Sequence, residues 1–354
     1  MRRAPTLKDI AREIGVHPST VSRALDPSLK ATLTADVIER VRSAADRLGY
    51  RPNRLAASLR TSRSMTVGVM IPDITNTIFP PILRGVESVL EPEGYVALVV
   101  STDNLAEREM RLVEVLRERG VDGIVHAAAL RDDPSILRAV EEGTPVVTVN
   151  RRIEGGTIPA VVNDEAGGIR ALVAHLHSLG HRRIASIAGP MALSTGHARL
   201  TALQAALAEL GLPPAPTSEA IRFHESEGRR CAEALLRSGE VFTALMCSND
   251  RLALGAIEAL GAAGLRCPQD MSVTGFNDMP FLDRISPALT TVRIQPFATG
   301  QAAAGQLLAM MRGHSIGVEH ETVMGVELVV RDSVAAPPNR MPASRPMPDP
   351  PHGT

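Results

Sequence analysis

Close to its N-terminus the chain reads TLKDIAREIGVHPSTVSRAL, residues 6–25. Apolar residues recur at helical spacing on both sides of Gly15, which interrupts the pattern. Thr6 can cap the first of these helices, and Pro18 suits the first turn of the second. Small and β-branched residues at positions 11 and 21 allow close packing across the short turn. The stretch therefore predicts a helix-turn-helix.

A third helix and a basic linker follow this pair. The helix is predicted to begin after the cap Thr34 and to end near Gly49, which completes a helical domain of residues 1–50. Residues 51–63 contain helix-forming residues and a possible cap at Asn53. Such a segment is short for an independent helix in water, so we expect it to fold only with a partner.

The basic charge of the chain is concentrated in this N-terminal part. Residues 1–63 contain 13 Lys and Arg residues against 6 Asp and Glu, a net charge of +7, whereas the remainder carries −8. A small basic domain joined to a larger acidic one is typical of a nucleic-acid-binding module attached to a domain with another task. A merely solvated basic face would give the same imbalance, and charge alone leaves that alternative open.

From Met65 onward, short apolar runs alternate with amphipathic helical stretches. This alternation predicts an α/β body of two lobes within residues 64–333, with parallel sheets covered by helices. Ligands of such sheets bind beyond the carboxyl ends of the strands. The final residues, 334–354, include seven prolines, and we expect a disordered tail there. The predicted strands are 66–71, 95–101, 122–126, 145–149, 160–162, 183–188, 243–247 and 271–275.

The sequence also disfavours several classes of protein. It has no apolar span of about 18 residues and no N-terminal apolar signal segment, so we expect a cytoplasmic protein without a membrane helix. Its three cysteines lack a CxxC pair, which disfavours a disulfide framework or a structural zinc site. His175, His177 and His181 are interpreted as structural, because Gly180 interrupts their helix. Without a phosphate-binding or hydrolase motif, we predict no catalytic residues, no metal site and no cofactor.

Motifs spread over residues 5–333 carry a resemblance to one known family. They are TLKDIA (6–11), TVSRAL (20–25), LGYRPN (48–53), IPDI (71–74) with Asn76 and Phe79, GVDGI (120–124), LGHRRIA (179–185), GP (189–190), GFND (275–278) and LTT (289–291). With these motifs in this order, the chain resembles the LacI/GalR family of bacterial transcriptional regulators. A lone helix-turn-helix would be weaker evidence than the same motif followed by this linker and this two-lobed body.

The resemblance implies a homodimer on double-stranded DNA. Each helix-turn-helix domain would place a recognition helix in the major groove of a pseudo-palindromic operator, and the hinge helix of 51–63 would enter the minor groove. Leu59 matches a leucine that wedges between the central base pairs. The DNA-contacting residues implied in this way are Thr6, Pro18, Ser19, Thr20, Ser22, Arg23, Asn53, Arg54 and Leu59.

The resemblance further implies an effector-binding and dimerisation domain at 64–333, similar to periplasmic sugar-binding proteins. Its first lobe would comprise about 64–162 and 292–324, and its second about 163–291 and 325–333, with the effector between them. The implied effector-binding residues are Phe79, Asn150, Arg199, Phe223, Asn249 and Asn277. For Phe79 and Phe223, a place in the ordinary core is an equal alternative, and for Arg199 a surface ion pair is a weaker one.

The chemical class of the effector is predicted from Arg199. Asn150 and Asn277 stand where sugar-responsive members commonly carry aspartates, so Arg199 is expected to lack its acidic neighbours. An anionic ligand, a small organic acid or sugar acid, would then compensate the buried charge. Alternatively, a nearby aspartate balances Arg199 and the ligand is neutral; the candidates are Asp73, Asp164 and Asp278.

A DNA-binding repressor gated by a small molecule is the favoured function. The rival is a solute-binding protein that feeds a transporter and does not bind DNA. The basic N-terminal domain argues against this rival. An enzyme ranks third, because the sequence shows no set of nucleophile and base and no set of metal ligands.

Overall fold

The computed structural model describes residues 5–25, 33–51, 63–155, 158–314 and 321–338. The chain divides into two compact units between Ser64 and Met65. Among the described residues, no helix is both long enough and apolar enough to cross a membrane.

The N-terminal unit contains three helices, α1 (Leu7–Ile14), α2 (Pro18–Leu25) and α3 (Ala35–Leu48). The carboxylate of Asp9 accepts hydrogen bonds from the backbone N–H and the hydroxyl of Thr6, 2.9 and 2.7 Å away, which fixes the start of α1. Gly15 ends α1 with a φ of 69°, a left-handed conformation that glycine adopts without strain. The three helices enclose a small apolar core of Ile10, Ala11, Val21, Ala24, Val41, Ala44 and Ala45. The predicted helix-turn-helix is confirmed.

The first lobe of the C-terminal unit is built on a six-stranded parallel sheet in the order β11-β5-β4-β3-β1-β2. Its strands are β1 (Thr66–Ile71), β2 (Val96–Ser101), β3 (Gly123–His126), β4 (Val146–Val149), β5 (Ala160–Asn163) and β11 (Glu321–Met324). Its helices are α4 (Phe79–Leu90), α5 (Ala106–Glu118), α6 (Pro134–Glu141) and α11 (Pro296–Met311). Helices cover both faces of this sheet. Consecutive strand residues point to opposite faces, and Val69 and Met70 accordingly belong to two separate apolar clusters.

The second lobe has a four-stranded parallel sheet in the order β7-β6-β8-β9. Its strands are β6 (Ile184–Ala188), β7 (Thr217–Glu219), β8 (Ala244–Cys247) and β9 (Ser272–Thr274). Its helices are α7 (Glu165–Ser178), α8 (Ser194–Glu209), α9 (Glu225–Arg237) and α10 (Asp250–Ala262). A short antiparallel pair, β10 (Thr291–Arg293) with β12 (Glu327–Val329), lies beside it. The predicted α/β body with parallel sheets is therefore confirmed, and the eight predicted strands occur with ends within one residue.

Two predicted boundaries need correction. Val292 and Ile294 are buried in the core of the second lobe, so residue 292 does not yet begin the return to the first lobe. Residues 334–338 are not a disordered tail, because Val334 packs against the same core and the Ala335 carbonyl accepts hydrogen bonds from Ser272 and His181. Residues 339–354 lie outside the described part of the chain.

His181 has the structural role that its sequence context predicts. Its ring is fully buried, with Nδ1 2.8 Å from the Thr243 hydroxyl and Nε2 2.8 Å from the Ala335 carbonyl. Desolvation by burial lowers its pKa. The imidazole therefore anchors the C-terminal segment to the second lobe.

Candidate functional site

The second helix of the N-terminal unit presents a polar face. Val21 and Ala24 are buried, whereas Ser19 and Arg23 are exposed, and Pro18, Thr20 and Ser22 are partly exposed. The ring of His17 caps this helix, since its Nδ1 lies 3.2 Å from the Ser19 backbone nitrogen and accepts its hydrogen. Arg23 has no ion-pair partner within the described residues. Hydroxyls and a free guanidinium on one helical face are groups that can read base edges in a major groove.

Of the remaining predicted DNA-contacting residues, the structure describes only Thr6. Thr6 belongs to the cap of α1, where its hydroxyl is already bonded to Asp9. Asn53, Arg54 and Leu59 lie outside the described residues. The assignment of all nine residues to DNA contact stays a prediction.

A cavity of about 190 Å³ opens in the body where β4 and β5 end and α7 and α8 begin. Asn150 lies at the end of β4 with a φ of 64°, a left-handed conformation that asparagine tolerates better than most residues. Its carboxamide oxygen accepts a hydrogen bond of 3.3 Å from Asn163 at the end of β5. The lining comprises Asn150, Arg152, Val162, Asn163, Asp164, Glu165, Ala166, Ser194, Thr195, Ala198, Glu321 and Val323.

Arg199 is buried beside this cavity and is fully paired. Its Nε and Nη2 donate to the two carboxylate oxygens of Glu165, at 2.5 and 3.2 Å. Its Nη1 donates to the Ser248 carbonyl at 2.6 Å, and its guanidinium carbon lies 3.8 Å from the centre of the Phe276 ring. The prediction that Arg199 lacks acidic neighbours is therefore wrong. Sequence reasoning missed Glu165, although it lies only two residues beyond the end of β5.

None of the three aspartates considered as partners neutralises Arg199. Asp164 caps α7 by accepting the Gly167 N–H at 2.8 Å, and Asp73 pairs with Arg251. Asp278 accepts from Arg293 and Arg331, at 2.8 and 2.7 Å. Asn277 does reach Arg199, since its carboxamide oxygen accepts from Nη2 at 3.4 Å.

The remaining predicted effector residues have different environments. Phe79 is buried in the core of the first lobe, which is the alternative that the sequence left open. Phe223 packs at the end of β6, so closely that a Cβ on Gly189 would lie 2.4 Å from its ring. Asn249 is buried, and its side-chain oxygen caps α10 by accepting the Leu252 N–H at 3.0 Å.

A buried carboxyl group follows Asn249. Asp250 accepts hydrogen bonds from the Thr291 hydroxyl at 2.5 Å and the Met279 N–H at 2.9 Å. Burial raises its pKa to about 7, although both hydrogen bonds act to lower it.

Opposing residues connect the lobes. Arg251 holds Glu225 of its own lobe with two hydrogen bonds, of 2.7 and 2.9 Å, and donates at 3.1 Å to Asp73 of the first lobe. Burial acts to raise the pKa of Asp73, but hydrogen bonds from Thr75 and the charge of Arg251 give a net lowering. The Arg131 N–H donates to the Ala192 carbonyl across the lobes at 2.9 Å. These hydrogen bonds hold the two lobes of the body in contact.

Comparison with known proteins identifies the family to which the chain belongs. Residues 6–53 match the model for bacterial regulatory proteins of the lacI family, and residues 173–334 match that for a periplasmic binding protein-like domain. An uncharacterized HTH-type transcriptional regulator from the aml 5' region of Streptomyces limosus is 37% identical over 94% of this chain and 95% of its own. The chain belongs to the LacI family.

Two solved structures share this fold over nearly the whole chain. The lac repressor dimer, bound to operator and the anti-inducer ONPF, is 28% identical with a TM-score of 0.82, over 94% of this chain and 100% of its own. The complex of the transcriptional regulator CelR with cellobiose is also 28% identical, with a TM-score of 0.71 over 93% and 99% of the two chains. The protein is therefore a DNA-binding transcriptional regulator with an effector-binding domain, and the alternative of a solute-binding protein without DNA binding is wrong.

Proposed function

We propose that this LacI-family protein is a repressor that binds a pseudo-palindromic operator as a homodimer and responds to a small neutral ligand rich in hydroxyl groups. The observation that carries the choice of ligand is the buried pair of Arg199 and Glu165. Because the guanidinium is already neutralised, no ligand carboxylate is needed to compensate it. This replaces the organic acid or sugar acid expected from the sequence.

The charge of the cavity lining supports a neutral ligand. Three of its residues are acidic, Asp164, Glu165 and Glu321, and only Arg152 is basic. Arg152 is itself paired with Glu321, its Nη1 lying 2.8 Å from a carboxylate oxygen. Because Glu165 pairs with Arg199 and Glu321 with Arg152, the lining offers an anion no unpaired cation, and the anion would lose its hydration without gaining a partner.

The polar groups of the cavity suit hydroxyls. Asn150 and Asn163 each offer a carboxamide with donors and an acceptor, and Ser194 and Thr195 add hydroxyls. The volume of about 190 Å³ is below the range of drug-sized sites, which favours a ligand of monosaccharide size. The related CelR structure contains cellobiose, which supports a carbohydrate as the class of ligand.

DNA binding is assigned to the N-terminal unit. Arg23 and Ser19 on the exposed face of α2 would read base edges, and the net charge of +7 in residues 1–63 would attract phosphates. A regulator of bacterial DNA acts in the cytoplasm, and we expect no catalytic activity. The lobe contacts of Arg251 and Arg131 give the ligand a means to bias one arrangement of the body, with a coupling of about 1–3 kcal/mol.

A combined binding experiment tests this function. Fluorescence anisotropy with labelled DNA from the region upstream of the gene should show saturable binding that weakens steeply with salt and changes with the ligand. A thermal-shift panel of monosaccharides and their matching uronic acids should show stabilisation by neutral members only. Stabilisation by the acids alone would reject the neutral ligand, and equal affinity for operator and scrambled DNA would reject operator recognition.

A further inference from the structure

Three buried side chains from separate elements meet beneath the carboxyl end of β3. Glu109 lies in the first turn of α5, His126 ends β3, and Asp133 directly precedes α6. Their exposed fractions are 4%, 0% and 2%. One nitrogen or carboxylate oxygen from each residue lies within 4.8 Å of the others, and His126 Nε2 is 3.0 Å from Glu109 Oε1. The cluster is separate from the cavity that contains Asn150.

The polar atoms of this cluster are poorly satisfied. Among the described residues, neither ring nitrogen of His126, nor Oε1 of Glu109, nor Oδ2 of Asp133 has a hydrogen-bond partner of adequate geometry. The other oxygen of Asp133 is occupied, because it accepts from Ser135 Oγ at 2.7 Å and from the Ile136 N–H at 3.2 Å. Leaving such atoms buried and unpaired is unfavourable, and a bound ligand would offset that penalty.

Within the described residues, no arginine or lysine forms an ion pair with the carboxyl groups of this cluster. Arg151 attracts Glu109 electrostatically, but its Nη1 donates to the Ala128 carbonyl at 2.9 Å and it forms no ion pair within the described part of the chain. A cation bound between the carboxyl groups of Glu109 and Asp133 would supply the positive charge that no described arginine or lysine provides.

We propose that Glu109, His126 and Asp133 bind a divalent transition-metal ion, with Zn²⁺ as the probe. One imidazole and two carboxylates are ligands that Zn²⁺ accepts, at about 2.0–2.2 Å. Two ligand atoms of a tetrahedral ion at those distances are separated by about 3.3 Å, close to the observed separation of His126 and Glu109. Three protein ligands leave a fourth position for water.

The site lies at the same edge of the first sheet as Asn150, because β3 and β4 are parallel neighbours. The loop of Asp103 and Asn104, both with left-handed backbone, precedes α5 and its Glu109. A metal ion would hold α5, β3 and the start of α6 together. It would therefore add stability to the first lobe in addition to any effect of the effector.

Metal binding by the full-length protein, freed of any affinity tag and of metal, tests the proposal. Equilibrium dialysis and calorimetry with ZnCl₂ should give one ion per chain. His126→Gln, Glu109→Gln and Asp133→Asn should each weaken binding by at least about tenfold, since each removes a direct ligand. His197→Gln is the matched control, because His197 lies on the surface 3.9 Å from Glu154 and should not affect the buried site.

Two further readouts separate this site from incidental binding. Co²⁺ in place of Zn²⁺ should give the intense visible absorption of a four-coordinate ion in the wild type and not in His126→Gln. Zn²⁺ should raise the melting temperature of the wild type and of His197→Gln but not of the cluster variants. Asp133→Asn keeps a capping oxygen for α6, so it should fold. Failure of the wild type to bind Zn²⁺, or wild-type affinity in the folded cluster variants, would overturn the proposal.

Discussion

Arg251 in α10 and Asp73 beyond β1 connect the two lobes of the body, with Nη1 3.1 Å from Oδ2. Arg251 is 8% exposed, and Glu225 holds its guanidinium from the other side. A contact of this kind stabilises the arrangement of the lobes without contributing to the core of either. Loss of this contact should therefore change the ligand affinity more than it changes the free energy of unfolding.

Asp73→Asn should lower effector affinity by about tenfold, equivalent to about 1.4 kcal/mol, because the closed lobes lose a charged contact. The melting temperature without ligand should change little. Ligand titration and small-angle scattering check this, the latter through a larger radius of gyration. Arg229→Gln is the control, since Arg229 pairs with Glu233 and Glu258 inside the second lobe. An unchanged affinity in Asp73→Asn would show that this contact does not affect closure.

Glu165→Gln should have two effects on the body. It should destabilise the fold by about 3–5 kcal/mol, because Arg199 would remain buried without its partner. It should also shift ligand preference toward carboxylates, which would then be able to pair with Arg199. Chemical denaturation and the thermal-shift panel of sugars and uronic acids measure these effects. Glu258→Gln, which removes an exposed carboxylate paired with Arg229 and lies outside the cavity lining, should show neither effect.

Arg23→Ala should weaken operator binding by about 1–3 kcal/mol and relax preference at one base pair. The reason is that Arg23 is exposed on the polar face of α2 and carries no ion pair in the described residues that would occupy it. Anisotropy titrations with operator variants measure both quantities. Equal losses on the operator and on scrambled DNA would mean that Arg23 contacts only phosphate.

Leu59→Ala should weaken specific binding, while circular dichroism shows the helical domain still folded. The expectation follows from the resemblance, in which a leucine at this position separates the central base pairs. Footprinting should show symmetric protection of both half-sites in the wild type. Unchanged operator affinity in the variant would contradict the wedge role.

Asp250 should make stability depend on pH. Its folded-state pKa of about 7 lies above the unfolded value near 3.8, so the folded protein binds more protons between these limits. Unfolding free energy should consequently fall as pH rises from about 4 to 7, by an amount on the order of 1–4 kcal/mol from this residue. Asp250→Asn should flatten that slope and be relatively more stable at pH 8, as measured by urea denaturation across pH. An identical slope in the variant would refute the assignment.

The sequence predicts best what local patterns determine. Helix α1 has its cap, its apolar stripe and its terminal Gly15 within ten residues, and each feature favours the same structure. The central strands are likewise continuous apolar runs. The short strand β7, by contrast, reads Thr-Ser-Glu and forms only because β6 provides an edge for pairing.

The residues of the cavity and of the buried Glu109–His126–Asp133 cluster come from positions far apart in the sequence. Local sequence patterns therefore predict these contacts less well than they predict the helices and strands. Arg199 and Glu165 are 34 residues apart, and their distance is set by how α7 packs on α8. Glu109, His126 and Asp133 likewise come from a helix, a strand end and a loop. One signal was available, since His126 is a polar residue at the end of the apolar run Gly-Ile-Val.

The C-terminal segment has a consequence for solubility. β9 is the last strand of its sheet, and part of its free edge is occupied where the Val273 N–H donates to the Ser333 carbonyl at 2.9 Å and Ala335 bonds to Ser272. An uncovered strand edge is a template for pairing with another chain. A protein cut off before Ser333 would expose that edge and should aggregate, whereas one that ends at residue 338 should stay dispersed.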